Sequence, residues 1–473
     1  MPHKNMRKVC MAMVAALMLL SAPVAQACGL GIESGKWEAV ETAPEQFGGV
    51  PLIEGDKNVN NLKEVASVYP EEHKGVSVTT ADVFAHKGYA YLGTHVGSHS
   101  NEGVRVFDLS HPEDPQEVSV FANDLPGTWQ EKVIVKSVNT PHFKGDLAAV
   151  SVQKYRQDQT KSGGVLLYDV SNPEEPEQLG FWELPEEVRT GTHELYLTQQ
   201  GNRVLVLAAN IYADYYTDAE FHDFAIVDVT NPSEPEMVYN WDPREILTAE
   251  DYDGYTYTDE EGAQRYAFAH SVITDQTGQY AYISFWDLGT VIMDISEPES
   301  PEVVGHTQFE RHVQGAAHSA ALAKGGTVLI ETREVFNPDP HDEQFERGWG
   351  YTRIFDIKDK SNPKLIGDFR TMNSMIQIEA GEREPGTFTV HDPKVRGNTL
   401  YLSHYTDGVR MVDITDPSNP VEVGSYVSDP ALVWGVFVDR QYILASDMND
   451  GLKVLLNNAG QSSSSRHDVA MTK

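Results

Sequence analysis

Apolar and polar positions along the chain fall into one phrase that occurs six times: an apolar triplet, an aspartate, an apolar residue, usually Ser or Thr, and then prolines at fixed offsets. It reads Val104-Arg105-Val106-Phe107-Asp108-Leu109-Ser110 with Pro112 and Pro115, then Leu166-Leu167-Tyr168-Asp169-Val170-Ser171 with Pro173 and Pro176. The phrase returns around Asp228 with Pro232 and Pro235, Asp294 with Pro298 and Pro301, and Asp413 with Pro417 and Pro420; around Asp356, Lys360 replaces the first proline and Pro363 keeps the second. An apolar run ending in Asp, Ser or Thr and Pro predicts a strand that stops in a tight turn, because the polar side chains satisfy free backbone groups and proline fixes φ. The aspartates are therefore read as structural.

The second proline opens an outer strand, as at residues 117–121 and 421–426, where a missing N–H is tolerated at a sheet edge. Upstream of each phrase lie two further strands joined by a short turn, for example residues 271–273 and 280–284, or 196–197 and 204–207. Four strands per unit in a closed ring predict an all-β, seven-bladed β-propeller of four-stranded blades. The last unit, residues 442–446 and 451–456, lacks an outer strand, and residues 62–69 resemble one. The ring is accordingly expected to be closed by an N-terminal strand, which removes two open edges.

Gly103-Val104-Arg105-Val106-Phe107-Asp108, Phe224-Ala225-Ile226-Val227-Asp228-Val229 and Gly408-Val409-Arg410-Met411-Val412-Asp413-Ile414 resemble LVIVD repeats over roughly residues 60–456. The resemblance implies an exported or surface propeller and little about activity. The units here exceed the ~40-residue propeller repeat, so most blades are expected to carry insertions.

Residues 1–27 read as a signal peptide: Lys4, Arg7 and Lys8, an apolar run over residues 9–20, and Ala25-Gln26-Ala27 before the cut. The predicted organisation is therefore a signal peptide over 1–27, an N-terminal extension over 28–60, the propeller over 61–456 and a polar, disordered tail over 457–473. Periplasmic, extracellular or cell-surface placement follows. Of the 2 cysteines, Cys10 leaves with the signal, and Cys28 is a candidate lipid-attachment point, although Ala25 stands where such signals usually carry Leu. Soluble export is the preferred reading, and no transmembrane segment is expected.

With 36 Lys+Arg against 71 Asp+Glu, a formal net charge of -35 argues against nucleic acid and favours cations and cationic surfaces. The inserted length falls on one face of the expected propeller, in the connections between blades and between second and third strands. The turns at Lys87-Gly88, Lys144-Gly145, Lys324-Gly325 and Arg396-Gly397, on the other face, stay short. Function concentrates on such loops.

On the elaborated face, His142, His193, His270, His318 and His391 each stand where an inner strand is expected to begin, with Asp82 and Trp434 at that place in the first and seventh blades. Radial equivalence would bring them to the channel mouth. A transition metal held by a subset, with Asp82, Glu194 and Asp392 as auxiliary carboxylates, is one reading. Hydrogen bonding of each histidine within its own blade is the other. Carboxylates and aromatics in residues 214–220, 250–261 and 339–347 add candidate calcium, sugar or protein contacts, and residues 95–99 hold two more histidines. No nucleophile, phosphate-loop or H-E-x-x-H motif is present. Two functions from different classes follow: a scaffold binding a protein, glycan or small ligand at the elaborated face, or a metal-dependent oxidoreductase or lyase with a His-lined channel.

Overall fold

The computed structural model describes residues 61–70, 78–95, 102–154, 162–335, 338, 342–375 and 386–457. The expected signal peptide, Cys28, His99 and the tail beyond Asn457 lie outside them. Seven antiparallel sheets, each built on four main strands, follow one another in strand order around the ring, and Thr128–Trp129 adds a short fifth strand to the second. The first three are Thr80–His86, Tyr89–Thr94, Val104–Asp108 and Gln116–Phe121; Val133–Asn139, Lys144–Lys154, Gly164–Asp169 and Glu177–Glu183; and Glu194–Gln200, Arg203–Ala209, Phe224–Asp228 and Glu236–Trp241. Blades four to six are Ser271–Thr274, Tyr280–Ser284, Thr290–Asp294 and Glu302–His306; Ala317–Ala323, Val328–Arg333, Thr352–Asp356 and Lys364–Phe369; and Pro393–Arg396, Thr399–Ser403, Val409–Asp413 and Val421–Tyr426. Val433–Asp439, Tyr442–Asp447 and Gly451–Asn457 make blade seven, whose outer strand is Leu62–Val68, with Leu62 opposite Asn457.

Alternate residues of each strand face opposite neighbours, so the core is a circle of interblade layers. Val204, Val206 and Ala208 pack toward Leu147, Leu167 and Val165 of blade two, while Leu205, Leu207 and Ala209 pack toward Ala281, Ile283 and Val291 of blade four. Burial on both faces explains why these strands are continuously apolar. The circle closes where Val83, Leu92 and Phe107 of blade one meet Leu444, Leu452 and Val454 of blade seven.

All six repeat aspartates do the same work. Asp108, Asp169, Asp228, Asp294, Asp356 and Asp413 each accept, at Oδ1, the backbone N–H two residues on, at 2.7–2.9 Å. The proline turn then wedges against the preceding blade. A Cβ on Gly180 would stand 2.1 Å from the Pro232 carbonyl oxygen, and one on Gly367 would stand 2.6 Å from that of Pro417. These outer-strand glycines let the turn approach.

One expected turn is displaced. Lys144 and Gly145 belong to the second strand of blade two, and the turn is residues 140–143. Inserted segments sit on the expected face: a short helix at Ala213–Tyr216, a 3-10 turn at Pro243–Glu245 and a hairpin of Thr256–Thr258 with Gln264–Tyr266. Among the described residues no helix is long and apolar enough to cross a membrane.

Candidate functional site

Inner strands begin at the elaborated face, and several begin with a kink. Strand pairing shifts register between Ala317 and Ser319 and between Val433 and Gly435. Such bulges re-aim side chains, and they allow two consecutive residues of an inner strand to reach the axis. Two layers result.

The upper layer is a closed circle of rings. Centroids of His193 and His270 lie 4.5 Å apart, His270 and His318 4.0 Å, His318 and His391 4.3 Å, and His391 and Trp434 4.4 Å. Trp434 continues to His95 at 5.1 Å, His95 to Trp129 at 4.5 Å, and Trp129 back to His193 at 6.4 Å. Trp434 also donates from Nε1 to Glu131 of blade two at 3.2 Å, across the mouth. None of the five histidines is more than 3% exposed.

His142 is not among them. It is exposed in the turn after Val133–Asn139, at the opposite face, because the apolar run from Val133 is the inner strand and Thr140-Pro141 follows it rather than precedes it. Its place in the circle belongs to Glu131. Asp82 also sits lower than the sequence suggests, in the second layer. There Lys132 Nζ lies 2.8 Å from Asp82 and 3.0 Å from Glu194, with Asp392 near enough to act on it and Lys394 paired to Asp392. Burial pushes Lys132 down, but these carboxylates outweigh it and hold the ammonium well above its ordinary range. Burial likewise pushes Asp82 up, and Lys132 and Lys394 together more than offset it, leaving Asp82 lowered and ionised.

Hydrogen bonds fix the protons in the upper layer. His270 Nδ1 faces the His318 carbonyl at 3.1 Å and must donate, so Nε2 of neutral His270 accepts from His193 Nε2 at 3.0 Å. His193 Nδ1 is then an acceptor, facing Gln153 Nε2 at 2.6 Å and Glu131 Oε2 at 2.9 Å. That contact needs a protonated Glu131, and burial pushes this carboxyl up to about 8. Burial lowers His193 to about 3 and takes His270, His318 and His391 well below the ordinary imidazole range. Glu131 and His193 thus meet as a neutral pair, and the His193–His270 lone pairs are already used.

His318 and His391 are placed differently. Glu334, one residue beyond the second strand of blade five, puts Oε2 3.7 Å from His318 Nε2 with no hydrogen bond to that oxygen, while Oε1 accepts from Tyr405 at 2.6 Å. One donor atom from each of His318, His391 and Glu334 lies within 4.8 Å of the others. Ligands at roughly 2.0–2.2 Å from one ion stand no more than about 4.4 Å apart, so a small rotation of the imidazoles completes the set. Glu334, Glu131 and Lys132 carry no repeat signature; only their positions beside strand ends betray them.

Two more aromatics lean on this set from strained backbone. Trp286 has φ 41° and Tyr405 φ 44°, a conformation costing about 1–3 kcal/mol in a bulky residue. The acidic loops, by contrast, are occupied with themselves. Asp253 accepts from the Tyr255 and Thr256 N–H groups and Asp259 from those of Glu261 and Ala263. Asp214, His222 and Asp242 form a second cluster, already bridged by Arg244.

The LVIVD repeat family model matches residues 211–242, 276–308 and 389–428. The chain carries LVIVD repeats. Each match spans the third and fourth strands of a blade, in blades three, four and six. No curated protein matches this LVIVD-repeat chain. Among solved structures it is similar to virginiamycin B lyase from Staphylococcus aureus, at 10% identity and TM-score 0.48, over 84% of this chain and 98% of that one. The Pan2 WD40 domain of Neurospora crassa shows 10% identity and TM-score 0.48 over 84% and 95%. A putative 6-phosphogluconolactonase from Bacteroides uniformis shows 12% and 0.48 over 80% and 91%.

Proposed function

We propose that this chain is an exported propeller that holds a first-row transition-metal ion at its axial mouth, with His318, His391 and Glu334 as protein ligands. One observation carries the reading: the Glu334 Oε2 atom is buried without a hydrogen bond beside two neutral imidazoles. An unpartnered buried carboxylate oxygen is costly, and a cation would satisfy it. Two histidines and one carboxylate with positions left open form the donor set of non-haem iron sites. His270 and Ser271 then act as supports, both bonding the His318 carbonyl, at 3.1 and 2.7 Å.

Imidazoles that stay neutral at pH 7 offer lone pairs without proton competition. The negative charge of the whole chain concentrates cations near the mouth. The scaffold reading keeps the outer rim: exposed Glu250, Asp251, Asp253, Glu260 and Glu261 favour a cationic partner there.

Elemental analysis of the purified chain after incubation with iron(II) or zinc(II) tests the centre. One equivalent should be retained by the wild type and by His142→Ala, and lost in His391→Ala and Glu334→Gln. A folded wild-type chain that retains no metal, or a Glu334→Gln variant that keeps it, would defeat the proposal.

A further inference from the structure

Trp286 and Tyr405 occupy matching places in blades four and six. Each stands two residues beyond its second strand, each bridges to the first residue of the next inner strand (Ala317 and Val433), and each has left-handed φ. Both turn their rings onto the candidate ligands. Trp286 lies 6.5 Å from His318 and 5.5 Å from His270, and Tyr405 lies 5.2 Å from His391 while bonding Glu334. In both, the left-handed φ belongs to a tight turn closed by the following glycine, Gly289 N–H bonding the Trp286 carbonyl and Gly408 N–H that of Tyr405, at 3.0 Å each.

From Trp286 a line of aromatics runs outward through the inserted loops. Phe268 stacks on Trp286 at 4.9 Å and 18°, Tyr255 lies 5.8 Å from Phe268, and Tyr215 lies 6.4 Å from Tyr255. Tyr215 is 49% exposed. The surface around it is acidic: Asp218 and Glu220 share its loop, and exposed Asp253 precedes Gly254, whose missing Cβ would stand 2.6 Å from the Tyr215 backbone nitrogen. Arg189, beside Tyr216, is a cation at this rim, and Arg244 is tied to Asp214.

We infer that the line Tyr215–Tyr255–Phe268–Trp286 carries single electrons between the metal centre and a cationic one-electron-carrier protein that docks at the Tyr215 rim. The inference rests on the centre proposed above. In the transfer the reduced ion loses one electron and the oxidised carrier gains it; no bond forms or breaks and no proton moves. All four rings are tunnelling bridges: none is itself oxidised, and the electron passes from ion to carrier without a proton leaving either tyrosine. Each ring-to-ring step is short, whereas direct passage from the rim to His318 must cross the whole loop layer. The acidic rim selects the carrier, because opposite charge raises encounter rates and sets orientation.

The test uses the full chain loaded anaerobically with iron(II), its iron content measured, and mixed rapidly with cationic ferricytochrome c or with anionic ferricyanide. Trp286 Nε1 has no hydrogen-bond partner, so Trp286→Leu removes the ring and deletes no hydrogen bond. With iron content unchanged, that variant should reduce ferricytochrome c about tenfold more slowly or worse, one decade being ~1.4 kcal/mol of barrier. Tyr255→Leu, a change in an inserted loop, should slow it in the same direction. Salt should depress the wild-type rate with ferricytochrome c by about tenfold or more and raise it with ferricyanide. Wild-type rates in both iron-loaded variants, or no salt dependence, would overturn the route while leaving the centre intact. A chain that takes up no iron overturns both.

Discussion

Glu334 offers the sharpest test of the metal centre, because its proton and a metal ion compete for the same oxygen. Burial holds its carboxyl at about 8 against the usual 4.5, so at pH 7 roughly one chain in ten carries it ionised. His318 and His391 are neutral throughout this range and add no proton competition. The affinity for zinc(II), chosen as a redox-silent probe, should therefore rise about tenfold per pH unit below 8 and level off above it. Glu334→Gln is the matched perturbation. It keeps an oxygen for the Tyr405 hydroxyl and resembles the protonated acid that predominates at neutral pH, so the fold should be little affected. It removes a direct ligand, and the loss should exceed the ~10–100-fold cost of losing an outer hydrogen-bond partner. Competition against a chromophoric chelator from pH 6 to 8.5 measures both effects. Equal affinity in the variant, or the same pH slope, would refute the assignment of this carboxylate as a ligand.

Two other outcomes follow from the structure. In the metal-free protein Glu131 and Glu334 sit at about 8, so the folded chain binds more protons than the unfolded one between about 4.5 and 8, and stability must fall as pH rises through that window. The depressed histidines act oppositely, but only below about 6.5, so calorimetry should show Tm declining from pH 6.5 to 8; a flat or rising Tm would contradict the buried protonation states. Removing residues 1–70 takes away Leu62–Val68, whose Ser67 accepts from Lys453 at 2.7 Å, and leaves Gly451–Asn457 as an open edge. Lower Tm and concentration-dependent association by light scattering are expected, and a monomer of wild-type stability would show that closure contributes nothing.

Most of the fold was legible because it rests on local chemistry. Asp followed by Ser or Thr and Pro makes the same turn wherever it occurs, and Asp356 keeps it even with Lys360 in place of the proline. Alternating burial made runs such as residues 204–209 readable as strands packed on both faces. The site was only half legible. His193, His270, His318 and His391 share a repeat position and do meet, but that position alone could not separate the hydrogen-bonded pair from the two beside Glu334. His142 misled because a Thr-Pro step looks like the entry to a strand when it is the exit from one.

Sequence by itself determined the repeat, the strand order within each blade and the face that carries the insertions, since each depends on residues within a few positions of one another. Only tertiary structure decided which groups share the axis. Glu131 and Trp434 meet across the mouth, and Glu334 reaches His318 from the far end of a strand. Those contacts depend on ring closure and on bulges that turn consecutive side chains inward. Their burial then fixes the protons, and desolvation is a property of the assembled ring that no short stretch of chain contains.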